Sequence, residues 1–96
     1  MIKPTIGRVV WYWPSHLTHT SQPYAALIAH VHDDFEINVA FFDHYGVAGA
    51  DQRVLLLQDD DSYGNPGGGG WAKWMPYQKG QAAKTEALEA KIGAST

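Results

Sequence analysis

The chain has 96 residues, a net charge of −3 and no cysteine, which fits one small domain in a reducing compartment and excludes disulfides and thiolate metal sites. No apolar run approaches the roughly 20 residues of a membrane span, and the opening MIKP lacks the apolar stretch of a signal peptide. Its seven Lys and Arg are scattered, which argues against duplex nucleic acid, whose phosphates need clustered cations.

The first predicted element is GRVVWYW, residues 7–13, β-branched and aromatic and stopped by Pro14. Alternation sets Arg8, Val10 and Tyr12 on one face and Val9, Trp11 and Trp13 on the other. The polar run SHLTHTSQP is a loop. YAALIAHVH, residues 24–32, predicts a second strand with Leu27, Ala29 and Val31 on one face and Ile28, His30 and His32 on the other. A turn at Asp33-Asp34 leads into FEINVAFFDH, residues 35–44, the third strand, where Ile37, Val39 and Phe41 alternate with Glu36, Asn38 and Phe42.

Tyr45-Gly46 makes the next turn, and RVLLLQ, residues 53–58, predicts a fourth strand that Asp59-Asp60-Asp61 ends. Residues 59–70 form a long acidic, glycine-rich loop. WAKWMPY, residues 71–77, is expected to pack back as a short irregular or final strand segment. QAAKTEALEAKI, residues 81–92, has helical composition with a weak apolar stripe, and Gly93 ends it. The expected fold is mainly β: a small SH3-like or Tudor-like antiparallel barrel over residues 2–80, followed by a helical or disordered tail over 81–96. Open barrel edges and small size make a homo-oligomer the expectation.

The residues that offer chemistry are aromatic and cationic. Trp11 and Trp13 share a strand face, and Trp71, Trp74 and Tyr77 follow four consecutive glycines. Such rings either pack a core or an interface, or they stack a flat base. The glycine run either folds over a ligand as a lid or acts as a loose tether. It is no phosphate-binding P-loop, because it lacks the Gly-Lys-Ser/Thr ending. His30 and His32 share a strand face, but a metal needs three or four converging ligands, and no metal site or cofactor is expected. Arg8 and Arg53 are the only arginines and suit bidentate phosphate contacts, against the ordinary alternative of surface ion pairs. No nucleophile is seen beside a base, so no catalytic residue is assigned and the protein is not expected to be an enzyme.

The stretches IKPTIGRVVWYWP, AALIAHVHDDFEINVAFFDHYG, LLLQDD and WMPYQKGQA resemble a group of small proteins encoded in tailed-phage and prophage genomes, over residues 2–83. The resemblance implies a phage protein acting in the host cytoplasm. It is similar in kind to the phage sponges, among them the anti-Thoeris families Sequestin and Lockin, which sequester nucleotide-derived immune signals such as ADP-ribose derivatives; other families take cyclic dinucleotides. No binding residue carries over from them.

The functional expectation is tight, non-catalytic binding of a nucleotide-derived signal. Trp11, Trp13, Trp71, Trp74 or Tyr77 would stack the base, Arg8 or Arg53 would hold phosphate, and His30, His32 or Asn38 would reach ribose or phosphate. The alternatives are a protein-interaction module, a virion or morphogenesis component, and a small signal hydrolase.

Overall fold

The computed structural model describes residues 2–59 and 62–75. They contain five strands: β1 (Val9–Trp13), β2 (Tyr24–Asp33), β3 (Glu36–Phe42), β4 (Ala48–Leu57) and β5 (Trp71–Lys73). The strands close into a barrel in the order β1-β2-β3-β4-β5. Neighbours pair antiparallel except β4 and β5, which run parallel. A mainly β small barrel is therefore what the chain forms, closed by the three-residue β5, which meets β4 at Leu55, Leu56 and Leu57. The predicted helix over 81–92, the domain limit at 80 and Tyr77 lie outside the described residues.

The barrel fills with the inward residues of the alternating strands. Val10 and Tyr12 from β1, Ala26 and Ile28 from β2, Ile37 and Val39 from β3, and Val54 and Leu56 from β4 are all buried together, with Ala72 and Trp74. At roughly 25 cal/mol per Å² of apolar surface removed from water, this interior is the largest favourable contribution to the fold. Gln58 closes one end: its Nε2 donates to the carbonyls of Ile2 and Asp34, and its Oε1 accepts from Ile2 N and the Trp74 indole. At the other end the Tyr12 hydroxyl donates to the Asp51 carboxylate.

Two sequence expectations change. β4 begins at Ala48, five residues before the predicted start. Its first half, AGADQ, has low strand propensity, yet it pairs with β3 through Phe42↔Ala48, Phe41↔Gly49 and Ala40↔Ala50. Tertiary pairing overrides local preference there. The simple alternation of β2 also fails. The register jumps from Ile28↔Val39 to His30↔Asn38, leaving Ala29 as an extra residue, a β-bulge that resets which side chains face in. Ile28 is buried and Val31 packs against the core, while His30 and His32 are exposed outside. His30 therefore does not share a face with Ile28.

Candidate functional site

The outside of the barrel divides into two halves. On the first, the chain's own loops cover an aromatic cluster. Trp13 and Trp71 face each other across the β1–β5 ladder, stacked with centroids 4.3 Å apart and planes within 6°. The Trp13 indole donates to Ser21 O at 3.1 Å, pinning the 14–23 loop over it. Tyr63 meets Trp71 edge-on at 6.3 Å, and the Lys73 ammonium lies 4.0 Å from the Tyr63 ring centroid, a cation–π distance. Both tryptophans are buried.

That arrangement decides most of the predicted stacking clamp. Trp13 and Trp71 occupy each other's faces. Trp74 points into the barrel core, so it is not a platform for a base. Arg8 lies 5.9 Å from its ring centroid. Trp11 alone of the four keeps substantial exposure, at 38%, and it abuts Trp13 edge-on at 6.3 Å.

The glycine run is tied to Asn65. Gly67 N donates to Asn65 Oδ1 at 2.9 Å, Asn65 Nδ2 donates to Gly70 O at 3.0 Å, and Gly68 N donates to Asn65 O at 2.9 Å. Gly68 takes the left-handed conformation such a tight turn requires, with φ +84°. Gly70 must lack a side chain for another reason: a Cβ there would stand 2.5 Å from the Tyr12 hydroxyl.

The second half of the barrel exterior carries the other predicted residues. His30, His32, Asn38 and Arg53 come from three strands and converge at one corner. Asn38 is the hub. Its Oδ1 accepts from His32 Nε2 at 2.8 Å and from the Arg53 backbone N at 2.9 Å. The imidazoles of His30 and His32 meet edge-to-face at 4.8 Å. The Arg53 guanidinium pairs with Glu36. Both neighbours of β3 are irregular at this level, β2 at Ala29 and β4 where the register jumps from Ile37↔Val54 to Val39↔Asp51. Arg53 is the only non-glycine residue with positive φ (53°) among the described residues. Bulges re-aim side chains, and a strained non-glycine backbone persists where its surroundings over-determine it. Four of the predicted site residues are thus brought together, whereas Arg8 and the tryptophans are not part of that corner.

Chemically, the corner offers the Arg53 guanidinium, paired with Glu36, together with two imidazoles and an amide, all on an open surface. It can hold an anion. It contains no nucleophile beside a base, and among the described residues no group of three or more His, Asp or Glu converges to hold a metal ion. Next to it along β2 lies an open apolar groove of about 210 Å³ lined by Val9, Ala25, Ala26, Leu27 and Phe42. Alternation alone did not reveal this groove, because it requires the β1–β2–β3 register. No helix among the described residues is long and apolar enough to cross a membrane. The chain matches no protein-family model, no curated protein and no solved structure.

Proposed function

We propose that the protein binds and retains an anionic, nucleotide-derived signal without cleaving it, with the bulged corner of His30, His32, Asn38 and Arg53 as the phosphate-recognising site. The observation that carries this reading is the meeting of the His30, His32 and Asn38 side chains with the Arg53 backbone at the point where both neighbours of β3 are bulged. The Arg53 fork donates to phosphate oxygens, with Glu36 as its resting partner. The imidazoles supply further donors and flat rings against which a base can stack. The resemblance to small phage proteins supports a role in sequestering a host immune signal.

The test is a capture assay. Purified protein is mixed with a panel of cyclic dinucleotides and ADP-ribose signals, the protein is filtered away, and the filtrate is read by mass spectrometry before and after heat denaturation. A signal that disappears and returns intact on heating supports the reading, provided that His30→Ala with Arg53→Ala lets it pass. A signal that returns with a new mass makes the protein an enzyme, and an untouched panel sinks the proposal.

One observation favours a second reading, a protein-interaction module. The face beside the corner is apolar, and Trp11, Leu27 and Phe42 on it are 38%, 40% and 48% exposed. Aromatic surfaces of this kind dock proteins. A host-lysate pull-down that recovers a stoichiometric partner with the native chain and not with Phe42→Glu supports it; identical recovery by both removes it.

A further inference from the structure

Two cross-strand rows run over the exterior of β1, β2 and β3. One is Trp11, Ala25, Phe42; the other is Val9, Leu27, Ala40. All six are exposed and none is charged. Met75, the last described residue, leaves the barrel at the border of this face. We infer that the face is the docking surface for the chain's own C-terminal segment, residues 76–92.

The ladder sets the direction of exit. β5 runs antiparallel to β1, through Trp13↔Trp71, Tyr12↔Ala72 and Trp11↔Lys73, so each further residue advances toward Val9. Trp74 sits in the core, and Arg8 lies 5.9 Å from its ring centroid. The chain therefore still follows β1 at that point, and alternation sets Met75 outside, at the Val9 end of the face. Pro76 has no N–H to offer a ladder and stops the strand there. Val9 is also a wall of the apolar groove, with Ala25, Leu27 and Phe42. The 14–23 and 62–70 loops gather at the opposite end of β1, on Trp13 and its partner Trp71 through Ser21 and Tyr63, and leave this end to the departing segment.

Length, composition and charge agree with this occupant. Two strand spacings from β1 to β3 measure about 10 Å. Residues 81–92 reach about 18 Å even at the short rise of a helix, and Pro76 and Gly80 bracket the turn that sends them back. In the helix that the sequence predicts, Leu88 and Ile92 are four apart and fall on one side. Residues 76–96 carry three lysines against two glutamates, a net of +1, and residues 1–75 carry four cations against eight acids, a net of −4. Docking the segment brings opposite signs together. Any other protein competes with a segment tethered at the border, whose effective concentration is roughly millimolar. The inference does not rest on the nucleotide reading.

The chain has no cysteine, so Ser95→Cys takes a nitroxide spin label at one place, beyond the docking residues. Methyl NMR of the full chain then reads which side chains the label approaches. The expected result is loss of the Ala25, Leu27 and Ala40 methyl signals, with that of Leu17 in the 14–23 loop retained. Leu88→Asp with Ile92→Asp is expected to bring the lost signals back. The core methyls of Ile28, Ile37 and Leu56 keep their shifts in that variant, which separates lost docking from lost folding. No loss at the face, equal loss at the face and at Leu17, or a loss that persists in the double variant each overturns the inference. Spin-labelled chain mixed with isotope-labelled chain that carries no spin label identifies the occupant: loss in the second chain gives the face to another copy and also overturns it. None of these results touches the capture assay, which reads the polar corner.

Discussion

Trp13 and Trp71 lie parallel, 4.3 Å apart, on the outside of the barrel. They are the ladder partners by which β1 pairs with β5, the shortest strand. A three-residue strand contributes few ladder hydrogen bonds, so barrel closure depends on what its side chains grip. Trp71 grips Trp13 outside, while Ala72 and Trp74 seat β5 in the core. The same stack anchors two loops, one through Ser21 and one through Tyr63. The aromatic segment after the glycines is therefore the clasp of the barrel.

Trp71→Ala is expected to cost about 3–5 kcal/mol, the range for deleting a buried large aromatic side chain. Trp11→Ala, at a partly exposed ring, costs less than half of that in a monomer. Urea unfolding of both variants measures the difference. Equal losses for Trp71→Ala and Trp11→Ala contradict the assignment of the clasp.

Tyr12 gives stability a dependence on alkaline pH. Burial raises its pKa above the ordinary tyrosine value, and the hydrogen bond to Asp51 and that carboxylate's charge raise it further. A folded-state pKa above the unfolded one means the contribution is complete below about pH 10 and falls away as pH climbs beyond it, since the unfolded chain ionises first. Tyr12→Phe is expected to lose about 1–2 kcal/mol at neutral pH through the missing hydrogen bond. Its stability then declines less steeply than the native chain's above pH 10. Parallel declines, followed by urea unfolding at successive pH values, contradict this account.

Much of the barrel was legible in the sequence, and the failures have physical causes. The alternation of Val10 with Trp11 and of Ile37 with Asn38 reports a sheet with one packed face. It does not report which face is inside, and the interior of β1 goes to Val10 and Tyr12 while Trp11 and Trp13 go outside. Alternation also assumes one residue per step. The extra residue at Ala29 breaks that assumption and reverses His30 relative to Ile28, although the pairing of His30 with His32 survives. The start of β4 was hidden because Ala-Gly-Ala-Asp-Gln is chosen by its partners on β3: Gly49 lies where a Cβ would come within 2.6 Å of the Phe41 ring. Of the candidate site, the corner residues were named, but their convergence depends on two bulges that no local pattern shows.

Gly70→Ala is expected to destabilise the barrel by about 1–3 kcal/mol, because the new methyl meets Tyr12, which the core and Asp51 hold in place. Asn65→Ala removes the side chain that joins Gly67 N to Gly70 O and costs about 1–2 kcal/mol. Thermal unfolding reads both. A Gly70→Ala variant as stable as the native chain contradicts the close approach.

Arg53 separates stability from function at the corner. Its left-handed backbone costs a non-glycine residue about 1–2 kcal/mol, part of which glycine recovers. Its exposed ion pair with Glu36 returns little. Arg53→Gly is therefore expected to leave stability unchanged or raise it by up to about 1 kcal/mol. Asn38→Ala removes two exposed hydrogen bonds, those from the Arg53 N–H and the His32 ring, and lowers stability by about 0.5–1 kcal/mol. If the corner recognises phosphate, Arg53→Gly also abolishes retention in the capture assay, so one substitution makes the barrel no less stable and empties its site. A variant that loses stability and keeps its ligand would place Arg53 in the scaffold and move the phosphate site away from β4.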